Sequence, residues 1–580
     1  MATASPVAPF PAWRPDLTDL GTDSSVTISG VLPRGDGYGP FKDFVGFTQA
    51  LPANCRGFFF ARRSDGSIAV FAGTSTRLYL LDNTTFQWTD VSKGGAAYGD
   101  LVASDNWRFA QFNELVIAVQ INTVPQKYTL NVGGAFADLG GSPPQASHIA
   151  IVNRIVMLTG LLANPRRVHW SDLDAPETWT AGIGLSDFQD LPDGGICHAV
   201  SGGDAYGVVF QDEAIRTLTF APGSPAVFQI VRISTQDTLD YQYSVINVGT
   251  RTFFHSAQGF KVILAGGEPQ SIGKEYVDAF FAGDVDTSAG RLVIGAADPQ
   301  GTRVFWAYKS QSGETDLFDK ILCFDWSIKD RPWSLIPMSG QYLGYLAKPG
   351  LTLEALDFIA PGGLTVLGAA ATVGGAFGAG KVRLTLDAVS NAFFAIAGQN
   401  FIVVQGIVGT IEANGTWLSS QISIVDATHL DINVAFANAW ISGGRIGGSL
   451  DALPFSLDSI STAAIAALAA CGPTALLGFF TGSNIEAILE TPEADIQGQL
   501  EFVSGLSPMT DSPDALCSLG YRMTPSEAIS YTAETAVTPN GTCPQLLEAR
   551  FQKGRLRIPA GSTWRYARGL RPEAQEAGEL

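Results

Sequence analysis

GFFFARRSDGSIAVFAGTSTRLYLLDNTTFQWTDVS, residues 57–92, alternates short apolar runs with tight-turn signals. Asp65-Gly66 marks a hairpin, because glycine readily takes the left-handed backbone that such turns demand. Strands are expected over Ile68–Ala72 and Leu78–Leu81, with a closing Trp88-Thr89. Similar aromatic-hydroxyl closures follow at Trp179-Thr180 and Trp333-Ser334. The gaps, 91 and 154 residues, are close to two and between three and four units of ~45 residues, the length of a four-stranded propeller blade.

Outward from this stretch the same texture continues. Trp107 to Leu158 holds LVIAVQI, a turn at Val132-Gly133-Gly134 and HIAIVNRIVMLTG. YGVVFQDEAIRTLTFAPGSPAVFQIVRI and TRTFFHSAQGFKVILAGGEPQSIG are further apolar pairs around Gly or acidic turns. Near residue 350 the texture changes. Thr352-Leu353-Glu354-Ala355-Leu356-Asp357 is echoed by Ser449-Leu450-Asp451-Ala452-Leu453 and by Ser456-Leu457-Asp458-Ser459. Between the echoes lie an Ala/Gly-rich run and a compact set of short strands with an Asn414-Gly415 turn and a Gly443-Gly444 exit. The expectation is an all-β chain, a β-propeller body interrupted by a small inserted β-barrel or β-sandwich module. Its parts are an N-terminal arm with the first strands (1–50), propeller (51–357), insertion (358–447) and resumed propeller with a basic C-terminal segment (448–580). At 580 residues the chain exceeds the ~250–300 residues at which single cores stop growing, whereas propellers grow by adding blades.

Charged residues are only 16% against ~25% for a typical soluble domain, and hydrophobic residues reach 46%. Either much surface is buried between subunits or the core is large and well buried. The net charge of -19 argues against binding nucleic acid through its phosphates, although an acidic channel wall lets DNA slide past. Six scattered cysteines (Cys55, Cys197, Cys323, Cys471, Cys517, Cys543) form no CxxC pair, which fits free thiols made in a reducing cytoplasm and no metal site. The N-terminus shows no basic and apolar signal-peptide regions. Residues 463–480 are nearly free of polar side chains, but Gly472-Pro473 breaks them midway, so burial or an interface loop is expected rather than a membrane span.

Motifs for chemistry are weak. Gly375 to Lys381 (GAFGAGK) matches the start of a phosphate-binding loop, yet Val382 stands where Ser or Thr must hold magnesium. Asp284, Asp286 and Ser288 alternate like calcium ligands, with Gly290 one position late. His148, His169, His198, His255 and His429 sit singly, with no nucleophile elbow beside them. No catalytic residue, cofactor or metal is therefore expected. One charge feature stands out: Arg550, Lys553, Arg555, Arg557, Arg565, Arg568 and Arg571 follow with no acidic residue between them. They are candidates for docking an acidic subunit or contacting DNA, against the plainer reading of a solvated edge strand.

An ordered series of segments resembles the tail nozzle (tail tubular protein B-like) and packaged-DNA stabilisation proteins of short-tailed bacteriophages. The series is PAWRPDLTDL (11–20), GTSTRLYLLD followed by WTDVSKGG (73–95), WRFAQFNELVIAV (107–119), RVHWSDLDAPETWT (167–180), YGVVFQDEAIRTLTF (206–220), FFHSAQGFKVIL (253–264) with QSIGKEYVDAFF (270–281), and TLEALD (352–357). The resemblance spans about 10–357 and resumes at about 449–571; the inserted module departs from it. It implies a non-enzymatic virion tail protein, assembled in the host cytoplasm into a ring, commonly a hexamer, below the portal and adaptor. Double-stranded DNA is then retained and ejected through the ring without sequence recognition. The module is expected to decorate the tail, bind a fibre or adaptor, or widen the ring. The alternatives are a phage propeller adhesin that binds or cleaves glycans, and a cellular propeller scaffold.

Overall fold

The computed structural model describes residues 7–83, 86–204, 206–224, 226–348, 364–386, 401–426, 428–447, 465–495 and 499–579. These residues form a nearly all-β molecule built on a seven-bladed propeller. Five blades are consecutive four-stranded antiparallel sheets whose innermost strands are Phe58–Arg62, Arg108–Phe112, Ala146–Val152, Cys197–Ser201 and Ile246–Val248. The sixth begins at Ile294–Ala297 and the seventh at Tyr342–Ala347. Each innermost strand packs beside the next, with the turn Gln242–Ser244 bridging blades 4 and 5, and Tyr342–Ala347 returns to Phe58–Arg62 to close the ring.

The apolar runs are continuous because middle strands are covered on both faces. Along Ile68–Gly73, Ile68, Val70 and Ala72 point into the core shared with blade 7, while Ala69 and Phe71 point into the core shared with blade 2. Successive strand residues face opposite sides, so a strand between two blades must be apolar throughout.

Closure of the ring is made by the two ends of the sequence. Blade 7 runs Tyr342–Ala347, Ala466–Cys471, Leu477–Asn484 and then Lys42–Gly46, so its outermost strand comes from the N-terminal region. The apolar segment 463–480 lies, in its described part, inside this blade, with Gly472 in the turn between two of its strands. Among the described residues of 448–580, expected as the propeller's second part, only 466–484 join a blade. Strand Ala487–Glu490 joins the outer edge of blade 6 through Ile28–Ser29, extending that blade into an eleven-stranded sheet that includes Leu516–Arg522 and Phe551–Ile558. Facing it is a six-stranded sheet of Val31–Arg34, Gly37–Pro40, Gln499–Thr510, Cys543–Ala549 and Ala567–Glu579, with Ala8–Pro9 on its last strand. One apolar core, including Val503, Leu506, Leu519, Leu556 and Leu570, fills this sandwich and continues to Trp306 and Trp333 of blade 6. Alternation alone does not distinguish a blade strand from a sandwich strand.

The inserted module is a seven-stranded sheet, with Leu364–Ala371 and Lys381–Leu386 at its centre, folded around its own core of Val382, Leu384, Ile402, Leu430, Ile432 and Ile446. It interrupts blade 7 at a hairpin end, since Ala347 pairs directly with Ala466. The echoes at 352–357, 449–453 and 456–459 lie outside the described residues.

Candidate functional site

The innermost strands surround an axial cavity with two adjoining lobes of about 240 and 370 Å3. Arg108, Phe109, Val245, Asn247 and Tyr345 border both lobes; Phe58 and Phe59 line the first, His148 and Ser201 the second. None of the described residues bordering either lobe is Asp or Glu. The described lining of the axis therefore carries one cation, Arg108, and no carboxylate, in contrast to the chain's overall charge.

Arg108 opens the first strand of blade 2 directly after Trp107, whose indole is fully buried and donates to the Thr74 carbonyl (2.7 Å). That anchor aims the guanidinium inward, 4.7 Å from the centre of the Tyr243 ring. His148 stacks beside the same ring, centroids 5.4 Å apart, and burial pushes its pKa well below the ordinary histidine value. The neighbouring Arg108 charge adds to the depression, and the Gln242 carbonyl partly offsets it. Tyr243 is locked in turn, its hydroxyl accepting from the Asn106 N–H at 2.8 Å. Sequence inspection had singled out His148 without a partner. Arg108 and Tyr243 carried no local signal, because only ring closure brings blades 2, 3 and 5 together.

Most of the C-terminal cations are paired with carboxylates, while Arg565, Arg568 and Arg571 stay exposed. Phe551–Ile558 is an interior strand, paired with Ala487–Glu490 on one side and Leu516–Arg522 on the other, so the solvated-edge reading fails. Lys553 is buried and its ammonium reaches Asp19 (2.9 Å) and Glu490 (2.8 Å). Arg555 pairs with Glu490 (2.5 Å) and Arg557 with Glu486 (2.6 Å) and Glu534 (3.0 Å). Arg550 meets Asp495 (3.5 Å), Arg565 meets Asp511 (2.9 Å) and Arg568 meets Asp36 (2.6 Å). Arg571 is exposed. The acidic partners are distant in sequence, which is why the run looked unneutralised.

Other candidates resolve into structural roles. Asp284 ends the helix Asp278–Asp284 and takes Lys320 (2.7 Å) and the Tyr308 hydroxyl (2.8 Å), while Asp286 takes Lys309 (2.8 Å) and caps the turn at Ser288. Ammonium groups thus satisfy the carboxylates proposed for calcium. GAFGAGK connects two antiparallel strands and opens no helix; the Thr372 hydroxyl donates to the Gly378 carbonyl across it (2.8 Å). His169 bonds the Trp179 carbonyl (3.0 Å), His198 meets Asp212 (2.5 Å), His255 meets Asp240 (3.4 Å) and His429 meets Asp426 (2.8 Å). All six cysteines are buried thiols. The inserted module exposes Leu367, Val373, Ile411, Leu418 and Ile441, with Val373 95% and Ile441 69% accessible.

No family model matches the chain, and no curated protein matches it. Among solved structures, the computationally designed Ika8 protein is 11% identical, covering 49% of this chain and 87% of its own, with a TM-score of 0.30. A quinonprotein alcohol dehydrogenase-like protein from Bacteroides thetaiotaomicron is 13% identical over 49% of this chain and 66% of its own, also at 0.30. A functionally unknown protein from Desulfotomaculum acetoxidans is 12% identical over 50% and 90%, again at 0.30. The propeller assignment stands on the sheet order and the closed circle of innermost strands.

Proposed function

We propose that the chain is a non-enzymatic virion protein of a short-tailed phage-like tail, one subunit of a ring, sixfold as in the family it resembles. The ring acts as nozzle or head-to-tail connector below portal and adaptor, holding packaged double-stranded DNA and later passing it. The observation that carries this reading is where the resembling segments fall. WRFAQFNELVIAV, RVHWSDLDAPETWT, YGVVFQDEAIRTLTF and FFHSAQGFKVIL lie on blades 2, 3, 4 and 5, one each, so the likeness follows the repeat of the architecture. The apolar side chains exposed on the inserted module suit contact with a neighbour such as a fibre or adaptor. In such a ring the DNA path runs between subunits, and the propeller axis is left for another use.

Native mass measurement and negative-stain microscopy test the proposal, on the purified chain alone and mixed with portal and adaptor of the same virion. A closed ring is expected. A monodisperse monomer under every condition overturns it.

A further inference from the structure

At one end of the inserted module three loops meet that carry no Asp, Glu, Lys, Arg or His: TVGGAFGAG (372–380), GIVGTI (406–411) and FANAWISGG (436–444). Hydrogen bonds hold them together. The Phe436 N–H donates to the Gly380 carbonyl (3.0 Å), the Val408 N–H to the Ser442 carbonyl (2.9 Å) and the Ile441 N–H back to the Val408 carbonyl (2.9 Å). The Thr410 hydroxyl donates to the Asn438 carbonyl (2.8 Å) and the Trp440 indole to the Gly443 carbonyl (3.0 Å). Each loop nevertheless presents apolar side chains to solvent: Val373 on the first, Val408 and Ile411 on the second and Ile441 on the third are all at least half exposed. The first charged residue after each loop is Lys381, Glu412 and Arg445 in turn, so charge begins only at the foot of the tip. The Glu412 carboxylate is held there by the Ala437 and Asn438 N–H groups (2.6 and 2.9 Å).

We propose that this charge-free tip docks on the surface of a lipid bilayer, its exposed apolar side chains entering the boundary between headgroups and acyl chains. Exposed apolar patches mark contacts with proteins or with membranes, and the chemistry of the loops favours the membrane. A protein interface is rimmed with polar groups and crossed by hydrogen bonds, about one per 100–200 Å2, whereas these loops carry no charge and direct their hydrogen bonds at one another. An apolar medium accepts only backbone that is already paired, and a half-buried indole such as that of Trp440 is a side chain enriched where membrane meets water. The net charge of -19 sets the chain against anionic headgroups, so the contact is apolar rather than electrostatic. Leu367 and Leu418 lie on strands instead, and they are left to the protein neighbour proposed above. The proposal concerns the module alone and is independent of whether the chain forms a ring.

The test is flotation of the full chain with phosphatidylcholine vesicles, with and without phosphatidylglycerol, at low and high salt. The chain is expected to float with phosphatidylcholine alone and to keep floating at about 1 M salt, where the Debye length falls to ~3 Å. Val373→Asp combined with Ile441→Asp is expected to weaken partitioning at least about tenfold. Leu546→Asp, at an 81% exposed site on the sandwich, is expected to leave it unchanged. Brominated phosphatidylcholine is expected to quench the indole fluorescence of the unmodified chain, and Trp440→Phe to reduce that quenching. A chain that floats with neither vesicle overturns the proposal, and so does one that floats only with phosphatidylglycerol and only at low salt. Flotation that the double substitution leaves unchanged, or that Leu546→Asp weakens as much, overturns it as well. Quenching on the unmodified chain keeps the test decisive even if the double variant fails to fold, since its absence overturns the proposal.

Discussion

Replacing Lys553 with methionine removes the central cation of a buried cluster while keeping most of the side-chain volume. Lys553 is 3% exposed, and it faces Asp19 and a Glu490 side chain with no exposure at all. Removing one partner of a buried pair costs about 3–5 kcal/mol, because the remaining charge is left in a poor medium. Glu490 keeps Arg555 at 2.5 Å and the Tyr531 hydroxyl at 2.7 Å, so the low end, about 3 kcal/mol, is expected. That is roughly a hundredfold in the unfolding equilibrium. Burial acts to raise the carboxyl pKa of Glu490, but Lys553, the Tyr531 hydroxyl and Arg555 outweigh it and hold the pKa below the ordinary value. A depressed carboxyl stabilises the fold above its unfolded pKa of ~4.3 and loses that contribution as pH falls through the folded value. Without Lys553 the depression shrinks, so acid unfolding of the sandwich should begin at higher pH. The assay is guanidinium and acid unfolding followed by hydrogen exchange of peptides from 487–495 and 551–558, with Arg571→Met as the exposed control and the double variant Lys553→Met, Glu490→Gln as partial rescue. A loss for Lys553→Met below about 1 kcal/mol, the range of exposed pairs, or one equal to that of Arg571→Met, would refute the placement of these cations as interior supports.

Replacing residues 349–464 by Asn-Gly should leave a folded propeller that melts no lower than in the full chain, since Ala347 and Ala466 are already paired and a short loop closes at less entropic cost; an insoluble or non-cooperative product would show that the module supports blade 7. In the native protein all six thiols should resist a disulfide reagent and react after denaturation, because all are buried, and burial further pushes Cys197 and Cys323 up to about 12; rapid labelling of any one would contradict its burial. Within the inserted module, burial acts against ionisation of Glu412, but the Ala437 and Asn438 N–H groups hold it down to about 2, and the Thr428 N–H and His429 hold Asp426 there as well. Module peptides should therefore lose exchange protection as pH falls from about 4 toward 2, and Glu412→Gln should move that loss to higher pH; an unchanged profile would contradict the role of these contacts.

The chain's β texture and turns were legible because they are local. Asp65-Gly66 does turn between paired strands, with Gly66 at φ +85°, and Trp88 and Trp333 do begin outermost strands of blades 1 and 6. Trp179 lies in a loop instead, its indole bound to the Pro176 carbonyl. What sequence patterning missed is long-range. Lys42–Gly46 meets Leu477–Asn484, and Asp19 meets Lys553, through contacts that no spacing rule encodes. The same limit hid the carboxylate partners of Lys553, Arg555 and Arg557 and the grouping of Arg108, His148 and Tyr243.

Because the seventh blade takes its last strand from residues 42–46, the order of synthesis opposes the order of closure. That strand emerges among the first, yet its partner at 477–484 is made more than four hundred residues later. At about 5–20 residues per second the wait is roughly 20–90 s. During it, six blades stack as an open arc with an apolar sheet face uncovered at each end, and the first forty residues have no sandwich to join until 487–579 has been made. Such faces invite stacking with another nascent copy, so yield in a cell should depend on chaperone supply and on temperature more than on the stability of the closed molecule.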